Sequence, residues 1–242
     1  MTTRLFNLDA IHPSWKKCID LALAELSQDY LNTLAHTEWL PGPQKIFNAF
    51  SLPMNQVQYV LFGESPYPRP ESANGYAFWD AAVKDLWSST GLSKKVNRAT
   101  SLRNIVKMLL VAEGALDKNT TTQEDIAALN KDHFVQTNDE FFNNFIRHGF
   151  LLLNATPVLR TEISRETDAR AWAPFVNKLL TCLHENSPKI RFILLGRIAN
   201  AIDKVIPTDA KERLYAEHPY NHSFITNSDV IAFFKPLHLL CK

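Results

Sequence analysis

A glycine-led turn, one amide and two histidines are the residues of this chain best suited to do chemistry on a small planar ring. Gly63-Glu64-Ser65-Pro66-Tyr67-Pro68 follows one β-prone run, and Asn154-Ala155-Thr156-Pro157 follows a second. Gly196-Arg197 follows a third, and His218-Pro219-Tyr220-Asn221-His222-Ser223 a fourth. An amide offers a donor and an acceptor together, and an imidazole donates to developing negative charge. Taken singly, each residue has a plainer account. Asn154 fits a turn, His218 a structural loop before proline, Phe78 and Trp79 a core, and Glu64 a solvated turn carboxylate. Their shared place after strands is what raises them, because open parallel α/β sheets bind ligands beyond the carboxyl ends of their strands.

The elements that must hold these residues are legible in the apolar pattern. Trp15, Ile19, Leu23, Leu26 and Tyr30 recur at three- and four-residue steps after Pro13, predicting an amphipathic helix over residues 13–35. Pro41-Gly42-Pro43 predicts a turn into a short helical segment ending near Phe50. Residues 57–62 are β-prone and stop at Gly63, and Phe150-Leu151-Leu152-Leu153-Asn154 reads as a strand buried on both faces. Between them, Thr137-Asn138-Asp139-Glu140 is a capping box opening a helix that Gly149 ends. Residues 174–185 predict a helix, 191–196 a buried strand, 213–217 a weaker strand, and 229–240 a closing helix interrupted at Pro236. Strands alternating with helices predict an α/β fold: one domain over 1–242, three layers, with a central, mainly parallel four-stranded sheet.

Composition narrows the classes. The chain has 242 residues, 45% apolar and 21% charged, which excludes disordered and fibrous proteins. Lys and Arg number 26 against 25 Asp and Glu, so the formal charge of +1 excludes a strongly polybasic protein but not a local basic patch. One such stretch exists: Lys94, Lys95, Arg98, Arg103 and Lys107 lie between Asp85 and Glu113 with no acidic residue among them. Cys18, Cys182 and Cys241 have neither zinc spacing nor a disulfide framework. No run of 18 apolar residues and no apolar segment near the N-terminus suggests a membrane span or a secretory signal. The expectation is a cytoplasmic monomer, nucleoid-associated if bacterial, with no cofactor and no metal.

Taken together and in order, the motifs resemble the uracil-DNA glycosylases. That family's water-activating loop, Gly-Gln-Asp-Pro-Tyr-His running on to Gly-Leu-Ala-Phe, is matched without a gap by Gly63-Glu64-Ser65-Pro66-Tyr67-Pro68 and Gly75-Tyr76-Ala77-Phe78. Trp39-Leu40-Pro41 and Ile46-Phe47-Asn48-Ala49-Phe50 resemble the approach to that loop. Ser101-Leu102-Arg103-Asn104-Ile105 resembles the start of its DNA-clamping loop and helix, and Leu151-Leu152-Leu153-Asn154 its uracil-reading strand end. Trp172 and Phe175, the strand ending at Gly196, and His218-Pro219 continue the likeness to about residue 223. The resemblance implies that Phe78 stacks on a flipped base, Tyr67 excludes the thymine methyl, Asn154 bonds the pyrimidine edge, and His218 stabilises charge on O2. It implies DNA, single- or double-stranded, as the partner, with Ser101, Arg98, Arg103, Arg197 and His222 on the DNA-binding side.

Several positions depart from the pattern. Ser65 stands where the family has its water-activating Asp, and losing a general base removes about 10²–10⁴ in rate. Glu64 replaces the preceding Gln and keeps a carboxylate one position away. Some glycosylase branches carry similar Gly-Glu-Ala-Pro-like loops. His222 falls where the family inserts a Leu wedge, Pro68 replaces a His, and Arg197 replaces the serine of the glycine-serine loop. Two functions follow. One is an atypical glycosylase excising uracil or a modified pyrimidine, with Ser65, Glu64 and His218 as catalytic residues. The other is a catalytically weakened DNA or base binder, a repair or replication adaptor or a defence factor.

Overall fold

A computed structural model describes residues 5–210 and 212–242. Met1–Arg4, part of the segment read above for a secretory signal, lie outside the described residues. The strands in chain order are β1 (Tyr59–Gly63), β2 (Trp87–Ser88), β3 (Gly91–Leu92), β4 (Phe150–Asn154), β5 (Arg191–Leu195) and β6 (Arg213–Ala216). The helices are α1 (Lys16–Leu23), α2 (Gln28–Ala35), α3 (Lys94–Arg98), α4 (Thr100–Ala112), α5 (Gln123–Ala127), α6 (Asn138–Arg147), α7 (Arg165–Asn186), α8 (Ala199–Asp203) and α9 (Ser228–Phe234). Among the described residues no helix is long and apolar enough to cross a membrane.

The chain forms two compact units of interleaved segments. The first comprises Met1–Asp80, Gly149–Leu194 and Ile198–Arg213, the second Ala81–His148, Leu195–Arg197 and Leu214–Lys242. The class is α/β, with a four-stranded sheet in the order β4-β1-β5-β6. β1 runs parallel to both neighbours, pairing Gly63 with Asn154 on one side and Leu61 with Ile193 on the other. Every residue of β4 is buried, as a strand covered on both faces requires.

In the first unit α1 packs on α7, over a cluster of aromatic rings. Phe47 stacks on Phe175 at 6.0 Å and Trp172 meets Phe175 edge-on at 5.0 Å. A buried ion pair, Arg160 to Asp168 at 2.7 Å, sits beside them. The Tyr30 hydroxyl donates to Asp168 at 2.7 Å and accepts from the Trp172 indole at 2.9 Å, so the buried charges have further partners. The helix expected over 13–35 is two helices. Ser27 accepts from the Tyr30 amide at 3.2 Å and caps a new start, while Leu23, Leu26, Leu31 and Leu34 stay buried across the break. Conversely, α7 begins well before Pro174. That proline lies mid-helix on the exposed side, where the bond it forfeits costs least.

In the second unit α4 buries nine residues and packs against α9 and the short helical turn His222–Thr226. The expected capping box of α6 is present: Thr137 accepts from the Glu140 amide at 3.2 Å and Glu140 accepts from the Thr137 amide at 2.9 Å. The ladder of β2 with β3 and the helices α3 and α5 add elements that the apolar pattern did not single out.

Candidate active site

The first unit holds Glu64, Ser65, Tyr67, Phe78 and Asn154. β1 and β4 end in register, and the pairing runs past their ends: the Ala155 amide donates to the Gly63 carbonyl (2.9 Å) and the Thr156 amide to the Glu64 carbonyl (3.0 Å). A Cβ on Gly63 would lie 2.8 Å from Asn154 Oδ1 and 2.9 Å from Ala77 Cβ. Glycine is therefore what lets the buried Asn154 amide and the returning loop share the strand end. The return is fixed in turn. The Ala77 amide donates to the Leu152 carbonyl at 3.0 Å, and Asn48 donates to the Asn74 carbonyl at 2.9 Å. Gly75 has φ +91°, with the Lys45 carbonyl oxygen 1.9 Å from where a Cβ would stand.

Phe78 ends this loop in the left-handed region at φ +63°, a conformation that costs an ordinary side chain about 1–2 kcal/mol. The Tyr67 hydroxyl donates to the Phe78 carbonyl at 3.1 Å, so the two rings are tied through the backbone that is strained. Burial pushes the Tyr67 phenol well above its ordinary range, and Asp80 adds to this, so the ring is neutral and a donor. Arg69 closes the loop on the buried Asp80 at 2.9 Å. Glu64 is exposed and Ser65 half-buried. An open groove of about 540 Å³ beside Trp39, Leu40, Pro68 and Leu159 touches none of the five expected residues.

The second unit holds the remaining residues. Gly196 ends β5 at φ +70°, and a Cβ there would come within 2.6 Å of His218 Cβ. The half-buried His218 accepts the Tyr220 amide on Nδ1 at 3.1 Å, which assigns the proton of the neutral ring to Nε2. Asn104, on α4 and 1% exposed, donates from its amide to the carbonyls of Pro219 (2.7 Å), Asn221 (3.3 Å) and Tyr220 (3.4 Å). This buried amide fixes the loop between His218 and His222. His222 and Tyr220 are exposed.

The basic stretch divides. Lys94, Arg98 and Arg197 are exposed. Arg103 spends its guanidinium on the Asn97 carbonyl (3.0 Å) and Asn104 Oδ1 (3.3 Å). Lys107 donates to the Thr121 carbonyl, and burial lowers its pKa. Lys95 donates to the Ala82 carbonyl at 2.7 Å, and Ser101 lies half-buried in the first turn of α4.

No model of a known protein family matches the chain. A solved structure, the wild-type UNG of Nitratifractor salsuginis, is 41% identical, covers 99% of this chain and 96% of its own, and superposes with a TM-score of 0.92. The chain belongs to the uracil-DNA glycosylases. A uracil-DNA glycosylase of Corynebacterium efficiens is 26% identical over 201 residues, 81% of this chain and 72% of that protein. The mimivirus uracil-DNA glycosylase shares the fold, with a TM-score of 0.60 at 17% identity over 89% of this chain and 72% of that one. Against this glycosylase background, two residues stand out that motif reading passed over. Asn104 lay inside a quoted motif, where a polar residue followed by Ile105-Val106 signals a buried amide needing partners. Asp80, which Arg69 holds, carried no signal in sequence.

Proposed function

We propose that the chain is a DNA glycosylase acting on uracil or a modified pyrimidine flipped out of single- or double-stranded DNA, working as a monomer in the cytoplasm. The observation that carries this reading is the pinning of Phe78: an aromatic held in left-handed backbone by the Tyr67 hydroxyl, on a loop that only Gly63 and Gly75 allow. Strain of this kind clusters at active sites and ligand clamps. Phe78 stacks on the base, a contact worth about 1–3 kcal/mol. Asn154, buried at a strand end, rejects bases that leave its amide unpaired. Tyr67 stands at the C5 edge.

In the reaction, water oxygen bonds to C1′ as the C1′–N1 bond breaks and its electron pair leaves with the base. The role of His218 follows from its His-Pro motif and its tautomer: Nε2–H donates to O2 of the departing anion, as such donors do for about 3–4 kcal/mol elsewhere. Water gives its proton to the Glu64 carboxylate, with the Ser65 hydroxyl ordering it. Extrusion of the base costs a few kcal/mol, which favours single-stranded or damaged targets. Exposed Lys94, Arg98 and Arg197 take phosphates, and His222 stacks in the space of the flipped nucleotide.

Ser65 itself favours a second reading, a base-binding protein with weakened hydrolysis. Alkali cleavage of DNA carrying uracil, hypoxanthine or modified cytosines separates the two. Release abolished by Asn154→Ala supports the enzyme. Uracil binding without release supports the binder, and neither binding nor release refutes both.

A further inference from the structure

Away from these residues, the second unit brings together Glu113, His238 and Cys241, with one ligand atom of each within 4.8 Å of the others. We infer that these three side chains form a binding site for one zinc-type divalent cation. The observation that points to a ligand is the carboxylate of Glu113. Its side chain is 8% exposed, and its Oε1 is buried with no hydrogen-bond partner among the described residues. Buried carboxylate oxygens are normally satisfied, by protein, water or a metal. Its other oxygen, Oε2, already gathers the two further donors. His238 Nδ1 lies 2.8 Å from it and Cys241 Sγ 3.8 Å.

The backbone holds these groups in place. Glu113 follows the last turn of α4, its amide bonded to the Leu109 carbonyl. His238 stands at φ +47°, and the Cys241 amide returns to its carbonyl at 3.0 Å, so one tight turn carries both side chains. Asn144 on α6 clamps that turn, donating to the carbonyls of Leu239 (3.1 Å) and Cys241 (2.7 Å), and the Val135 amide donates to the Leu240 carbonyl at 2.8 Å. A tetrahedral zinc ion with one oxygen, one nitrogen and one sulfur ligand needs ligand separations of roughly 3.3–3.6 Å. Measured to Oε2, the observed 2.8 and 3.8 Å bracket that span, and the His238–Cys241 pair, within 4.8 Å, closes by up to about 1.2 Å to take the ion.

The donor set selects the ion. Imidazole and thiolate suit zinc and exclude magnesium and calcium, which take oxygen ligands. A bound dication takes a cysteine ligand as its thiolate. The fourth position is left to water, since three protein ligands leave it open. Positions 113, 238 and 241 make no linear motif, which is why cysteine spacing gave no sign of a metal.

The test uses the full chain without an affinity tag. Titration with Co²⁺ should give a thiolate-to-metal charge-transfer band that saturates at one equivalent and is displaced by Zn²⁺. Zn²⁺ should raise the melting temperature, and Mg²⁺ should not. Cys241→Ser and His238→Gln should each weaken binding by at least about 100-fold, the upper end of what losing an outer-shell partner costs. His238 is largely exposed, so its variant keeps the fold, and Cys18→Ser should leave the band intact. No band at one equivalent, or a band that survives both variants, would overturn the assignment. Neither outcome depends on glycosylase activity.

Discussion

Replacing Tyr67 by Phe removes one oxygen and leaves the ring, so it isolates what the hydroxyl does. That hydroxyl donates at 3.1 Å to the carbonyl of Phe78, whose φ is +63°. A neutral bond of this length contributes a net of about 0.5–1.5 kcal/mol. The left-handed backbone it braces costs about 1–2 kcal/mol, so the two nearly balance. Without the bond, Phe78 is expected to visit relaxed backbone angles that no longer present its face to a base. A loss of about 1 kcal/mol lowers the melting temperature of a chain this size by roughly 2–4 °C. The same range of energies weakens uracil binding by about 2–12-fold. Calorimetric melting and titration of the free base read both quantities. If the Tyr67 ring stands at the C5 edge as proposed, thymine-containing DNA should still be refused, whereas Tyr67→Ala should admit it. An unchanged melting temperature together with unchanged uracil affinity would refute the bracing argument. Thymine release by Tyr67→Phe would show that the ring itself had moved.

Three further outcomes are expected. If water activation is the weak step, Ser65→Asp should raise uracil release from single-stranded DNA by about 10²-fold, and if Glu64 already serves, Glu64→Gln should cripple release while Ser65→Asp adds little; burst-free steady-state rates decide between them. Lys94→Ala with Arg98→Ala should flatten the log–log salt dependence of duplex binding by about 1.8, at roughly 0.9 per phosphate contact, while the inward-turned Lys107→Ala leaves it unchanged; fluorescence anisotropy across a salt series checks this. Asn104→Ala strips a buried amide from three carbonyls and should cost about 1–3 kcal/mol in stability, with a fall in kcat larger than any change in uracil affinity, because the loop it holds carries His218.

What could be read from sequence was what nearby residues decide. β4 runs from Phe150 to Asn154 as its apolar run predicts, and the capping box at Thr137 opens α6 because both its bonds are made within four residues. The break between α1 and α2 was hidden, since the inward leucines keep their spacing through Ala24–Ser27 while the turn is set by a serine cap. Pro174 reads as a helix start because proline favours that place, yet the helix-forming residues before it prevail. The residues of the candidate site were singled out by motif, but their structural supports were not. Asn104 reaches carbonyls 115 to 117 positions away, and Glu113 meets a histidine 125 positions on. Whether a lysine in a basic run faces water or an inner carbonyl, as Lys107 does, is likewise decided by packing rather than by local pattern.

The loop from Gly63 to Asp80 also has a bearing on how such a protein changes over generations. Its path is set by Gly63 and Gly75, where an added carbon meets Asn154 and Ala77 or the Lys45 backbone, and by the closing pair of Arg69 with Asp80. Glu64 and Pro68 point to solvent and Ser65 is only half covered, so none of the three is needed to keep that path. On the proposed reading, the residues given to water handling, Glu64 and Ser65, and two of those given to the base, Tyr67 and Phe78, share this segment yet are separately mutable. A library randomised at positions 64, 65 and 68 should stay folded throughout and differ mainly in what is done to the bound base. One at 63 and 75 should collapse to near the starting sequence. If the proposed roles hold, the same scaffold can drift between cleaving and merely holding its ligand by single substitutions that leave the loop's path intact.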